Sequence, residues 1–125
     1  MTKTEDRRSV VIVVDDDEAV RESLRFLLET AGFDVDTFAS ACQFLSAAHG
    51  RRPLCLLVDQ HMPQLTGLDL LQRLRETGYT VPAALMTGSP STSLMRRAKE
   101  LGVQEILEKP LPDDVLFRFV HKVSR

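Results

Sequence analysis

Five consecutive aliphatic residues, Val10 to Val14, stop against Asp15, Asp16, Asp17 and Glu18. An apolar run this short, with no alternation, fits a strand covered on both faces, and such strands belong to parallel sheets flanked by helices. The residues that follow support this. Val20, Leu24, Leu27 and Leu28 recur at helical spacing until Gly32 supplies a stop, so one strand is followed by one helix. The unit then repeats. Phe33, Val35 and Thr37 alternate as a second strand, and Ser40 with Gln43 resembles a capping box for a helix through about Ala48. Leu54 to Val58 form a third strand closed by Asp59, and after a loop with Pro63 and Gly67, the positions Leu68, Leu70, Leu71 and Leu74 predict a helix ending near Gly78. Ala83 to Met86 end at Thr87, and Leu94, Met95, Ala98 and Leu101 mark a fourth helix ending at Gly102. A short strand, Glu105 to Leu107, runs to Lys109 and Pro110, and Val115, Leu116, Phe119, Val120 and Val123 make the last helix.

Five strand and helix pairs in strict alternation predict an α/β fold, a doubly wound, five-stranded parallel sheet of flavodoxin-like order 2-1-3-4-5. Right-handed crossovers and a reversal of winding place a crevice outside the carboxyl ends of the strands, at the switch point between the first and third. The five units use up the 125 residues, which predicts one domain over 1–125 with no linker or repeat. Sixteen Lys and Arg against eighteen Asp and Glu give a formal charge of −2, without the positive excess that phosphate-backbone binding needs, so direct contact with nucleic acid is not expected. The N-terminal MTKTEDRRS lacks a signal-peptide apolar core, and a five-residue aliphatic run cannot span a bilayer. Cys42 and Cys55 form no close pair, so a reduced, cytoplasmic setting is expected, with Cys55 as ordinary core.

The strand ends carry the chemistry. Asp15 and Asp16 end the first strand, Asp59 the third, Thr87 the fourth and Lys109 the fifth, so these side chains converge on one crevice. Taken singly each has an ordinary reading: Asp16 or Asp17 as a helix cap, Asp59 and Thr87 as turn residues, Lys109 as a solvated lysine. Their joint placement overturns those readings. Carboxylates brought together repel one another unless they share a cation, and an all-oxygen set points to Mg²⁺. A metal and an ammonium flanking one carboxylate suit phosphoryl transfer, with Asp59 as the nucleophile. His49, His61 and His121 lack ligand spacing and read as surface or loop residues. The Met and Leu positions within helices read as core.

The segments VVIVVDDDEAVRESL, LLVDQHMPQLTGLDLL, ALMTGS and EILEKPL resemble, in order and spacing, the receiver domains of two-component response regulators over essentially the whole chain. The wording is most similar to receivers of nitrogen-fixation-type transcription regulators, whose chains continue into a helix-turn-helix. The resemblance implies a signalling phosphoacceptor that catalyses only its own phosphorylation and dephosphorylation. Asp59 would take phosphate from the phosphohistidine of a sensor histidine kinase. Asp16, Asp59 and the backbone carbonyl of His61 would hold Mg²⁺, with Asp15 acting through water. Thr87 would be the hydroxyl that moves to the phosphoryl group, Lys109 its ionic partner, and the bond before Pro110 cis. Phosphorylation would shift the face of the fourth helix, fifth strand and fifth helix, including Met95, Ile106 and Phe117, to control homodimerisation or contact with an output domain or downstream protein.

Some positions depart from the family pattern. Three aspartates in a row leave the acidic pair assignable as Asp15 with Asp16 or Asp16 with Asp17, and the first is preferred because Asp15 directly follows the strand. The family's usual switch aromatic aligns with Ile106, so a rotating ring coupled to Thr87 does not operate in its ordinary form. His61 and Ser89, two places beyond Asp59 and Thr87, fall where the family varies its dephosphorylation rate. The rival readings are a phosphorylation-independent interaction module with a vestigial crevice, a hydrolase turning over through an aspartyl phosphate, and a flavin carrier. A hydrolase of that kind needs a second carboxylate two places beyond the nucleophile, where His61 stands. An acidic first loop is wrong for binding a flavin phosphate without a metal.

Overall fold

The computed structural model describes residues 10–47 and 52–124. The elements run β1 (Val10–Val14), α1 (Glu18–Thr30), β2 (Asp34–Phe38), α2 (Ala41–Ala47), β3 (Cys55–Asp59), α3 (Gly67–Glu76), β4 (Ala83–Thr87), α4 (Thr92–Glu100), β5 (Glu105–Glu108) and α5 (Asp113–Val123). The strands form one five-stranded sheet ordered β2-β1-β3-β4-β5, and every pairing is parallel. The expected alternation and strand order are therefore present. The expected end of the second helix at Ala48 and the residue His49 lie outside the described residues.

Successive side chains of a strand point to opposite faces, and here each face has its own cover. Val11, Val13, Cys55, Leu57, Ala84, Met86 and Leu107 pack with Leu24 and Leu28 of α1 and Leu116, Phe119 and Val120 of α5. Val10, Ile12, Val14, Leu56, Val58, Ala83 and Leu85 pack with Phe44 of α2, the leucines of α3 and Ala98 of α4. Two covered faces explain why β1, β3 and β4 are apolar at nearly every position. The edge strand β2 is covered less, and it alternates, with Val35 buried between exposed Asp34 and Asp36. Cys55 lies in the core as expected, its thiol pushed up to about 12 by burial, while Cys42 is exposed.

The local signals at helix ends act as the sequence suggests. Asp17 caps α1, its side chain accepting from the N–H groups of Ala19 and Val20, which takes Asp17 out of the acidic pair. Ser40 accepts from the Gln43 N–H at 3.1 Å, but the Gln43 side chain reaches the N–H of Ala39, at 3.0 Å, one residue before the cap. Three helices close with the same pair of bonds: Gly32 to Glu29 with Phe33 to Leu28, Gly78 to Arg75 with Tyr79 to Leu74, and Gly102 to Lys99 with Val103 to Ala98. Each is the 6→1 and 5→2 pattern of a Schellman motif. Gly78 has φ +85 and open space where a Cβ would sit, so Gly78→Ala is expected to cost about 1 kcal/mol through backbone conformation alone. A urea titration checks this.

One expectation fails. Met95 was assigned to the core by its helical spacing, yet it is 53% exposed. On α4 only Ala98 is fully buried, because the helix covers the sheet margin and turns a narrow stripe inward, with Leu94 half-buried beside it. Spacing assigns a residue to a face but does not say how wide the buried stripe is.

Candidate functional site

The carboxyl ends of β1, β3 and β4 and the residue after β5 bring four side chains to one end of the sheet. Main-chain bonds between neighbouring strands fix them there. Asp15 N–H donates to Phe38 O at 3.0 Å, Gln60 N–H to Met86 O at 2.9 Å, and Lys109 N–H to Thr87 O at 2.8 Å. Asp15 and Thr87 are wholly buried and Asp59 is 3% exposed. Asp16 is exposed. One carboxylate oxygen from each of Asp15, Asp16 and Asp59 lies within 4.8 Å of the others. The Lys109 ammonium sits 2.9 Å from Asp15 Oδ2 and 3.2 Å from Asp59 Oδ1. The Lys109–Pro110 bond is cis.

The electrostatics are those of a cluster short of positive charge. Burial, with the Asp15 charge next, pushes Asp59 above its ordinary carboxylate value, against the charge and hydrogen bond of Lys109 and the hydrogen bond from the His61 backbone. Burial alone would push Lys109 down. The hydrogen bond and charge of Asp15, joined by those of Asp59, outweigh it and hold the ammonium above its usual value. One cation serves two buried carboxylates, so a second cation would relieve Asp59.

A pH effect on stability follows. Asp59 binds its proton more tightly folded than unfolded, so between the ordinary and raised pKa the folded chain holds more protons, and stability falls as pH rises through that window. Asp59→Asn removes the loss. In metal-free buffer the variant is expected to melt above wild type at pH 7, with the two curves converging below the ordinary carboxylate range. Thermal melts across that range check it, and a variant no more stable at neutral pH contradicts it.

Around this centre stand partners that the sequence did not reveal. Asp15 has both oxygens engaged, because Oδ1 accepts from the Asp17 N–H at 2.9 Å while Oδ2 takes Lys109. Arg21 from α1 donates to the Asp15 carbonyl at 2.7 Å. The side chain of Gln60, next to Asp59, accepts from the Leu68 N–H at 2.9 Å, and Thr66 and Asp69 make a full capping box on α3. The Thr66 and Asp69 spacing was readable in the sequence, whereas the Arg21 and Gln60 contacts carry no local signal. Gly67, read only as a loop residue, begins α3 directly against the Asp59 main chain.

Thr87 Oγ1 accepts from the Ser89 N–H at 3.1 Å and lies 3.2 Å from His61 Nε2. His61 is exposed, as expected of a loop residue, yet its ring belongs to the site. His121 is exposed on α5. Ile106 is not brought to the acidic cluster: it is half-buried, opposite Leu85 in the register, and packs against the cluster of α2, α3 and α4. Phe117 packs on the other side of the sheet and stacks on His121 with centroids 6.3 Å apart. Met95, Ile106 and Phe117 therefore belong to different packing environments. A cavity of about 490 Å³ between α1 and α5, lined by Val20, Leu24, Leu27, Leu111 and Leu116, touches the cluster only through Lys109. Among the described residues, no helix is long and apolar enough to cross a membrane.

Comparison with known proteins agrees with this fold. Residues 11–121 match the family model described as the response regulator receiver domain. The chain is 40% identical over 115 residues to the transcriptional regulatory protein FixJ of Bradyrhizobium diazoefficiens, covering 92% of this chain and 56% of that protein. The crystal structure of full-length FixJ from B. japonicum superposes with a TM-score of 0.81 at 37% identity, over 92% of this chain and 57% of that one. The chemotaxis protein CheY4 of Vibrio cholerae superposes with a TM-score of 0.86 at 26% identity, over 93% of this chain and 98% of that one. The chain spans about half the length of the curated relatives it matches.

Proposed function

The chain belongs to the response regulator receiver domain family, and on that premise we propose that Asp59 accepts a phosphoryl group from the phosphohistidine of a sensor kinase. The observation that carries this is the shared ammonium: Lys109 bonds two buried carboxylates at once, an arrangement costly to build unless a charged group is to be handled there. An Asp59 oxygen forms the new P–O bond as the donor's P–N bond breaks and its electron pair stays on the leaving imidazole nitrogen. Lys109 would hold a phosphoryl oxygen and Thr87 would donate to another. Asp15, Asp16, Asp59 and the His61 carbonyl would hold Mg²⁺, which when bound supplies countercharge to the phosphoryl oxygens. The crowded oxygens of the three aspartates fit that ion, and the full engagement of both Asp15 oxygens fits its acting through water.

The added group brings about two negative charges. If Thr87 and its loop bond the phosphoryl group in only one arrangement, that arrangement gains by the difference in contact energy. We assign the readout to the face of α4, β5 and α5, through homodimerisation or an output domain, with the protein acting in the cytoplasm beside its kinase. The test is labelling by a radioactive acyl phosphate. With millimolar Mg²⁺ the label is expected to approach one phosphoryl group per chain, and with chelator it is expected to fall to background. Labelling that ignores Mg²⁺, or none with it, overturns the reading.

A further inference from the structure

Thr87 is wholly buried, and a hydroxyl has one proton to donate. The Ser89 N–H bonded to its oxygen is itself a donor and cannot take that proton. Among the described residues, the other hydrogen-bond partner of Oγ1 is His61 Nε2, at 3.2 Å. With its oxygen already accepting from Ser89, the hydroxyl has its proton free for Nε2. The same residue lies two positions beyond the phosphoacceptor in the chain. The ring that meets the hydroxyl that would respond is thus carried on the loop leaving the strand of the carboxylate that would be modified.

We propose that His61 is a positioning residue whose imidazole latches the Thr87 hydroxyl in the unphosphorylated protein. Engagement of the phosphoryl group then redirects that single hydrogen bond from Nε2 to a phosphoryl oxygen. No covalent bond changes at Thr87. The resting latch is a property of the unmodified molecule, and only the exchange rests on the function proposed above. The bond gained is to a charged acceptor and is stronger than the neutral one given up, so the exchange runs forward. The latch nevertheless opposes it, and its removal should raise the ratio of switched to resting protein at a fixed level of phosphorylation by roughly two- to tenfold, the range of a net side-chain hydrogen bond.

Three-bond NMR couplings of Thr87 in the whole protein, without phosphodonor, test the latch. Wild type is expected to hold one χ1 rotamer. His61→Leu, similar in bulk but without an acceptor, is expected to show averaging, and His61→Gln, whose amide oxygen replaces Nε2, is expected to restore the single rotamer. Saturating acyl phosphate with Mg²⁺ then tests the exchange. Ser89 amide shifts in His61→Leu should report the two- to tenfold rise, and the rise should vanish when Thr87→Val is combined with it. A Thr87 rotamer identical in wild type and His61→Leu overturns the latch, and a rise that persists beside Thr87→Val overturns the exchange. If Asp59 is not the phosphoacceptor, Asp59→Asn takes up label as wild type does, while the rotamer comparison, made without phosphodonor, still decides the latch.

Discussion

Asp59→Asn is expected to take up no phosphoryl label under conditions that saturate wild type, a fall on the order of 10³-fold or more, as when a covalent nucleophile is removed. The amide is nearly the size of the carboxylate but is neutral, so it offers no charged oxygen to attack phosphorus. Loss of fold is excluded separately, since Asp59→Asn is expected to melt above wild type at neutral pH. Nor is a neighbour free to substitute, because both Asp15 oxygens already bond the Asp17 N–H and Lys109. Asp16 is exposed and one residue beyond the strand end. The measurement is label per chain with Mg²⁺, alongside a melting curve of the same sample. Undiminished labelling in the variant would remove Asp59 from the chemistry.

Gly67→Ala is expected to damage both fold and site. A Cβ at Gly67 would lie 2.6 Å from the Asp59 carbonyl oxygen and 2.7 Å from Leu85 Cδ1. The leucine can rotate away, but the carbonyl cannot move without moving Asp59 itself. Overpacking against main chain costs about 2–3 kcal/mol, and the displaced Asp59 should be labelled several-fold more slowly than wild type. Gly78→Ala is the matched control, because its cost comes from a positive φ with nothing near the added carbon, and its labelling rate should be that of wild type. Urea midpoints and initial labelling rates of the two variants decide the point. Equal costs and equal rates would mean that α3 yields freely at its first residue and that the close approach to Asp59 has no functional consequence.

Most of the fold was legible because its signals are local. Val10–Val14 and Cys55–Asp59 are buried throughout, as runs without alternation require, and glycines at 32, 78 and 102 stop helices through bonds to carbonyls three and five residues earlier. The strand-end residues could be placed together once alternation fixed a parallel sheet, since every strand then delivers its last residue to the same end. Less legible was the division of labour among adjacent acids. Asp15, Asp16 and Asp17 are alike in sequence, and only the course of the chain out of β1 makes the third a cap and the first a buried partner of Lys109. Met95 failed for a related reason: the exposure of an apolar residue depends on how much sheet lies beneath its helix, and α4 sits at the sheet margin.

The sequence by itself determined the order of elements, the parallel sheet and the end of it where three aspartates, a hydroxyl and a lysine would meet. Those follow from periodicity and punctuation, whose energies act over a few residues. The tertiary structure alone decided the hydrogen bond between His61 and Thr87, the seat of Gly67 on the Asp59 carbonyl and the sharing of one ammonium by Asp15 and Asp59. Such contacts join residues 8 to 94 positions apart, and the side-chain bonds among them are near 3 Å long. Their existence depends on tenths of an ångström in how strands and loops pack, which no pattern of residue types encodes.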